Sequence, residues 1–337
     1  MFYLFQRSTR LKWKIQRKTP DYLWRLTSAP LQPLRNLQYR EKDFIRDNII
    51  LGPKKRYFII RRRPPGGGLL SNVNHVLQGV VRAQELNLLP KVDMQRYQTE
   101  YSEKNKFLDT NNSWEYFFEP LSGGRINATD YFSGTFSSGE RILPGHWIGD
   151  KSFRYLFDSR KMQFLHEILK QNVKLNVQTA SILGSIKEYL DWNPSETLGV
   201  FLRNEFNTSH LGNHPRQPSL DQMEKGIERK LSDFGFSRIF VASEDTHLRN
   251  HLKLRYSKFL IHDFRDIPKF KGLCRPHLPE LNQASDKLVK TYSYLIQMYL
   301  FAETQSCVSS ISNGSVFSLI LNGNKFIEPV VYDLGQY

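Results

Sequence analysis

Polar residues follow three short apolar runs in the C-terminal half of the sequence. Arg203 comes directly after the run 198–202, the triplet Ser243-Glu244-Asp245 follows the run 238–242, and serines surround the end of the run 307–311. If these runs are parallel strands, their carboxyl ends meet at one edge of a sheet, which is where ligands bind in doubly wound folds. The three groups are therefore predicted to line one site.

Arg203 is the side chain in this set that is best suited to an anion. Its guanidinium is planar, forked and permanently charged, and a strand end would hold it in place. A pyrophosphate is a natural partner for such a fork. A surface ion pair would explain the position of Arg203 equally well, so both interpretations stay open.

The serine-rich segment leads into an apolar run that predicts a helix over 316–321. A helix N-terminus presents unpaired N–H groups and the positive end of a dipole, and both favour an anion. The candidate donor-binding residues at this helix start are Ser312, Asn313, Gly314, Ser315 and Val316. The alternative is a serine that only caps the helix.

Ser243, Glu244 and Asp245 offer a hydroxyl and two carboxylates, which are suitable partners for the ribose or the base of a nucleotide. In isolation, the stronger interpretation of Ser243 or Asp245 is an N-cap for the helix that follows.

A glycine-rich turn stands at the equivalent place in the N-terminal half, between the run 57–60 and helical periodicity over 69–86. Glycine lets a ligand approach the backbone closely, which makes Gly67 and Gly68 candidates together with Asn72 and Asn74. The turn is not a Walker loop, because no Gly-Lys-Ser/Thr follows, and Ser71 occupies the place of the third glycine of the dinucleotide fingerprint.

Strand and helix patterns alternate through both halves, which predicts an α/β fold with parallel sheets. The N-terminal half reads as strands at 57–60 and 89–93, loops over an open face at 99–152 and one helical stretch at 162–189. The C-terminal half reads as strands at 198–202, 238–242, 258–261, 307–311 and 326–332, with helices at 220–234, 246–255, 286–303 and 316–321. The predicted division is a basic arm (1–35), a Rossmann-like domain (36–160), a helical connection (161–195) and a second Rossmann-like domain (196–337).

The composition favours a phosphate-bearing partner. The 337 residues carry a net charge of +15, which attracts nucleotides, nucleic acid and anionic lipid alike. Two cysteines are too few for a disulfide framework, and the pattern of neither a spanning helix nor a signal peptide is present. We therefore expect a cytoplasmic protein. Residues 1–26 mix aromatic and basic side chains, which suits a peripheral membrane contact or a basic arm packed on the domain.

Four segments, taken in order, resemble the fucosyltransferase superfamily of α-1,6-fucosyltransferases and protein O-fucosyltransferases. They are the Gly- and Asn-containing loop 66–74, the strand 199–203 with His214-Pro215 after it, the strand end 240–245, and the serine-rich turn and helix 309–321. The resemblance spans 58–335. Phe201 stands where the family usually has His, and Asn204-Glu205-Phe206 stands where Arg-Thr-Asp is expected.

The resemblance implies a GT-B glycosyltransferase, with a donor cleft between two Rossmann-like domains, that is inverting and metal-independent. No D-x-D pair occurs in the sequence. By analogy, Arg203 holds the β-phosphate, Glu244 or Asp245 the nucleoside, and 312–315 the phosphates, while Asn72 and Asn74 face the cleft from the acceptor side. The candidate general bases are Glu205, His210 and His214.

The resemblance also implies the partners. The donor is a nucleotide sugar, GDP-fucose-like as the first choice, and the departures at 201 and 204–206 leave another nucleotide sugar open. No further cofactor is expected, and the acceptor is a glycan, a polysaccharide or a lipid-linked acceptor. Two alternatives remain. One is a non-catalytic nucleotide-sugar-binding relic of the fold. The other is a basic nucleic-acid-binding protein, although no RNP, KH or zinc-finger pattern accompanies the charge.

Overall fold

The computed structural model describes residues 57–61, 67–96, 98–127, 130, 134–136, 156, 158–203, 215–243, 246–262 and 267–335. The N-terminal half contains β1 (Tyr57–Ile60), α1 (Leu69–Glu85), β2 (Leu89–Val92) and β3 (Gly134–Phe136), followed by α2 (Ser159–Asn172) and α3 (Val177–Tyr189). The C-terminal half contains β4 (Thr197–Leu202), α4 (Leu220–Phe234), β5 (Arg238–Ser243), α5 (Thr246–Arg255), β6 (Leu260–His262), α6 (Ile267–Cys274), α7 (Asp286–Glu303), β7 (Ser306–Ser310), α8 (Asn313–Asn322) and β8 (Val330–Tyr332).

Two sheets result, and every described strand pair is parallel. The N-terminal sheet has the order β2-β1-β3, and the C-terminal sheet has the order β6-β5-β4-β7-β8. The predicted α/β class with parallel sheets is confirmed. The chain leaves β4 toward β5 and β6 on one side and returns with β7 and β8 on the other, so the strand order reverses between β4 and β7.

Helices cover both faces of the C-terminal sheet, which is why all six residues of β4 are buried. Leu198, Val200 and Leu202 point to the face covered by α4 and α5. Phe201 points to the opposite face, into a second core that also includes residues of α7 and α8. That second core continues through α1, α2 and α3 to the N-terminal sheet, so one apolar interior joins the two halves.

Capping residues explain why some helix bounds follow from the sequence alone. At the start of α4, Ser219 and Gln222 form a reciprocal capping box, and Gly235 ends the helix with a φ of 65°. The structure gives α4, α5 and α7 the bounds that the sequence predicts.

The predicted helical stretch over 162–189 consists of two helices in the structure, with a break at 173–176. Asn176 interrupts the pattern: its Oδ1 accepts a hydrogen bond from the Thr179 N–H and caps α3. Its Nδ2 donates to the main-chain carbonyls of Glu115 and Tyr116. An asparagine that satisfies backbone groups of both a helix start and a neighbouring loop favours a break over a continuous helix. These two helices occupy the predicted connection 161–195.

The predicted loops over 99–152 are present in most of the described part of this segment, but the expectation that they lie over an open face is wrong. Its aromatic side chains are buried and pack against one another, with Trp114 and Phe118 at a ring centroid distance of 4.5 Å. They form part of the core that joins the two halves. The segment also contributes β3, and α6 is a further element that the sequence did not predict.

The remaining expectations concern the N-terminal arm and the absence of a membrane-spanning helix. The basic arm (1–35) lies outside the described residues. Among the helices that the structure describes, none combines the length and the apolar content needed to cross a membrane.

Candidate functional site

The C-terminal sheet brings three of the predicted groups to one edge. Leu202 pairs with Ser243 across β4 and β5, and Phe201 pairs with Ser309 across β4 and β7. Arg203 follows β4 directly and the serine-rich turn follows β7, so both lie at the carboxyl edge. They flank the point at which the strand order reverses, and such a switch point forms a crevice for a ligand.

Arg203 is half-buried at this edge. No ion pair of its guanidinium with another described residue is present. The surface salt bridge that the sequence left open is thus not formed within the described ranges. A partly desolvated guanidinium retains strong attraction for a phosphate, because the local dielectric is lower than that of water.

The serine-rich turn forms a self-contained cap on α8. Ser312 Oγ accepts hydrogen bonds from the N–H groups of Gly314 (3.1 Å) and Ser315 (3.3 Å). Ser315 Oγ in turn accepts from the Ser312 N–H at 2.8 Å. The N-cap alternative is therefore realised, and these hydroxyls are engaged within the turn. Val316 is buried in the helix, whereas Asn313 is exposed at its tip.

Asn74 connects this tip to the N-terminal half. Its Nδ2 donates to the Asn313 side-chain oxygen at 3.2 Å and, at 3.4 Å, to the Asn313 main-chain carbonyl. Asn74 belongs to the second turn of α1, and α1 also packs along α8. The two helix starts that the sequence singled out therefore meet, although 239 residues separate the two asparagines.

Asn72 does not face the cleft as the resemblance implies, because its side chain is fully buried. Its Nδ2 donates to the Gly67 carbonyl (3.0 Å) and to Tyr101 Oη (2.9 Å), and its Oδ1 accepts from the Gly67 N–H at 3.4 Å. Asn72 thus holds the end of the glycine-rich turn against the start of α1. Gly68 is the N-cap of that helix.

The remaining predicted residues divide into two groups. Ser243 is buried at the end of β5, at the edge that Arg203 also occupies. The others lie outside the described residues: Glu205, His210, His214, Glu244 and Asp245.

Two residues at these sheet edges were not singled out from the sequence. Gln217 contacts the turn before α8, and the signal that could have found it is its position just after His214-Pro215. Asp93 follows β2 at the carboxyl edge of the N-terminal sheet, in the pattern that drew attention to Arg203. Burial raises the pKa of the Asp93 carboxyl, which accepts a hydrogen bond from the Arg96 N–H at 3.1 Å.

Metal ligation has no support within the described ranges, which contain no cluster of three or more His, Cys, Asp or Glu side chains able to hold an ion. The expected independence from metal stays a prediction.

The fold and the site define an α/β protein with its candidate site at the switch point of a doubly wound sheet. No protein-family model matches the sequence, and no curated protein matches it. Solved structures of fucosyltransferases are similar to it in fold, and they belong to the class of protein that the sequence motifs resemble.

Three of these structures illustrate the similarity. NodZ alpha-1,6-fucosyltransferase soaked with GDP-fucose is 13% identical with a TM-score of 0.49, over 83% of this chain and 96% of that chain. POFUT1 in complex with GDP is 13% identical with a TM-score of 0.48, over 84% and 100%. A variant of Arabidopsis thaliana FUT1 in complex with GDP is 12% identical with a TM-score of 0.47, over 87% and 73%. The case for a function rests on the residues of this chain.

Proposed function

We propose that the chain is a glycosyltransferase that moves a sugar from a nucleotide diphosphate sugar to a hydroxyl of a glycan, a polysaccharide or a lipid-linked glycan. One observation carries the proposal: Arg203 and the start of α8 flank the switch point of the C-terminal sheet. A cationic fork beside the positive end of a helix dipole is suited to a diphosphate, because both favour the same dianionic ligand, although Ser312 already accepts from the Gly314 and Ser315 N–H groups.

In the proposed reaction the acceptor oxygen forms a bond to the anomeric carbon, with inversion. The bond from that carbon to the β-phosphate oxygen breaks, and its electron pair leaves with the nucleoside diphosphate. Arg203 stabilises the charge that develops on the departing oxygen, which lowers the barrier because the charge is larger in the transition state than in the substrate. No metal is required in this scheme.

The acceptor proton passes to a general base in the same proposal. Glu205, His210 and His214 are the candidates, since all three belong to the segment that follows Arg203 in the sequence. A GDP-sugar with a fucose-like sugar is the first choice of donor. We also propose a cytoplasmic location, with residues 1–26 as a peripheral membrane contact.

An assay of hydrolysis and transfer over a panel of GDP-, UDP- and CMP-sugars tests the function. We expect turnover with one donor and a loss of about 100-fold or more in Arg203→Ala, which corresponds to removal of one charged stabilising group. Arg238→Ala is the matched control. Arg238 starts β5 at the opposite edge of the same sheet, where its Nη2 lies 3.0 Å from Asp191 Oδ2, so its loss should leave turnover unchanged.

Three outcomes would contradict the proposal in different ways. Equal turnover in wild type and Arg203→Ala removes the role of Arg203. Binding of a nucleotide sugar without hydrolysis or transfer under any condition identifies the non-catalytic alternative. Binding of nucleic acid with a steep salt dependence and no nucleotide-sugar turnover identifies the nucleic-acid alternative.

A further inference from the structure

Gln217 links the segment just before α4 to the turn that starts α8. It lies between Pro215 and the start of α4 and is only 6% exposed. Its Nε2 donates to the Pro215 carbonyl at 3.0 Å and, at 3.4 Å, to the carbonyl of Ile311. Ile311 immediately precedes Ser312, so one carboxamide joins the chain that follows β4 to the turn that starts α8.

These two contacts fix the orientation of the carboxamide. Both partners are main-chain carbonyls, which can only accept hydrogen bonds, so the NH₂ group must face them. The oxygen Oε1 must then point the other way. This oxygen is buried and has no hydrogen-bond partner within the described ranges.

Other polar atoms at this sheet edge are also buried without a hydrogen-bond partner. Ser310 Oγ, at the end of β7, is buried and unpartnered among the described residues, as is Asn74 Oδ1 beside the tip of α8. A buried polar atom without a partner costs stability, and such atoms are uncommon in native proteins unless water or a ligand completes them. With Ser309 Oγ, which is also buried and unpartnered among the described residues, four such atoms surround one turn, which is the pattern expected where a bound molecule supplies the missing partners.

On the basis of the proposed function, we infer that Gln217 Oε1 accepts a hydrogen bond from a ribose hydroxyl or from the exocyclic amine of the nucleoside part of the donor. An amide oxygen accepts from such groups and repels the oxygens of a phosphate, which also only accept. Gln217 therefore distinguishes nucleosides, whereas Arg203 binds the diphosphate. Its Nε2 at the same time holds the turn in front of α8.

Calorimetric titration with four nucleotides tests this inference: GDP, 2′-deoxy-GDP, 3′-deoxy-GDP and inosine diphosphate, which lacks the exocyclic amine of guanine. Each analogue removes one hydrogen-bond donor. We expect wild type to bind one of the three analogues about 10-fold more weakly than GDP, the size of one hydrogen bond lost in a buried site. In Gln217→Met, which keeps the side-chain length without polar atoms, GDP should bind more weakly and that discrimination should disappear.

The matched control is Gln297→Met. Gln297 is also buried and also donates through Nε2 to a main-chain carbonyl, that of Ser293 within α7. It should keep the discrimination of wild type. If Gln217→Met does not fold, Gln217→Glu replaces it: the carboxylate keeps an acceptor oxygen, so it should retain the discrimination while binding every nucleotide more weakly.

Different results would contradict the role of Gln217 and the premise on which it rests. Wild type that binds all four nucleotides equally overturns the inference, and so does a folded Gln217→Met that discriminates as wild type does. Loss of discrimination in Gln217→Glu overturns it as well. Wild type that binds none of the four contradicts the choice of a GDP-sugar donor, and the inference fails with it. The proposed sugar transfer is tested separately by the panel of nucleotide sugars.

Discussion

The starts of α8 and α1 meet at Asn74 and Asn313, yet they are built in opposite ways. At α8, Ser312 caps the N–H groups of Gly314 and Ser315, and Ser315 caps Ser312 in return. At α1 the N-cap is Gly68, and no side chain among the described residues caps the helix. The α8 tip is closed by its own hydroxyls, whereas the α1 tip has no side-chain cap at Gly68.

The glycines at the two helix starts also differ in the space that a Cβ atom would have. A Cβ on Gly314 would collide with Tyr294 Oη and would lie 3.0 Å from Met298 Sδ. A Cβ on Gly68 would have Glu100 Oε1 as its nearest neighbour, at 3.6 Å. The α8 tip is therefore fixed by packing, and the α1 tip is open. We infer that packing around Gly314 and the Ser312 cap hold the α8 tip rigid beside Arg203.

Among these variants, Gly314→Ala is expected to lower the free energy of unfolding the most. The added methyl group must displace Tyr294 or shift the helix start, and overpacking of this kind costs about 1–3 kcal/mol. Thermal unfolding should show a lower melting temperature, and GDP should bind more weakly because the tip moves. Gly68→Ala is the matched control and should change the free energy of unfolding by less than about 1 kcal/mol. Equal losses in both variants would remove the distinction between the tips.

A smaller effect is expected from Ser312→Ala. The change leaves two buried N–H groups without their acceptor, and loss of an N-cap costs about 1 kcal/mol. Ser219→Ala removes the equivalent cap of α4 and should cost a similar amount in denaturant unfolding. Only Ser312→Ala should weaken GDP binding. A parallel loss of GDP affinity in Ser219→Ala would show that the effect comes from general destabilisation.

The contact between the tips should be measurable in a double-mutant cycle of Asn74→Ala and Asn313→Ala. A side-chain hydrogen bond in a partly buried position contributes about 0.5–1.5 kcal/mol, so we expect a coupling energy of about that size. Denaturant unfolding of the four proteins gives the value. Additive losses would mean that the two asparagines do not stabilise each other.

The smallest effect is expected from Gly68→Ser. Serine supplies the cap that α1 lacks, so the free energy of unfolding should rise by a few tenths of a kcal/mol. If the donor approaches Gly68 closely, as the sequence predicts, the added side chain obstructs it and GDP affinity falls. A stabilised variant with unchanged GDP affinity would show that the α1 tip takes no part in donor binding.

The sequence predicts most of the C-terminal half because each element there has a local cause. Apolar strand runs, the Ser219 cap and the Gly235 terminator are all readable within a few residues. The break at Asn176 was missed because its partners, the carbonyls of Glu115 and Tyr116, are about sixty residues away in the chain. The buried aromatic cluster around Trp114 was missed for the same reason, since its periodicity is weak and its burial depends on distant helices.

The candidate site, too, could be predicted only where its features depend on residues that are near in the sequence. The placement of Arg203 and the serine turn at one sheet edge follows from strand order, which the alternation of elements predicts. The use of Ser312 as a cap depends on backbone geometry, which the residue type alone does not determine. The role of Asn72 in holding the glycine turn depends on Tyr101, and the orientation of Gln217 depends on Ile311, nearly a hundred residues later.

The most direct test of the switch-point site is calorimetric titration of GDP into wild type, Arg203→Lys and Arg203→Gln. If the Arg203 fork and the α8 tip hold one diphosphate, Arg203→Gln should bind GDP about 100-fold more weakly. Arg203→Lys should fall between the two, because it keeps the charge and loses the fork. GDP affinities equal to wild type in both variants, with unchanged melting temperatures, would contradict the account.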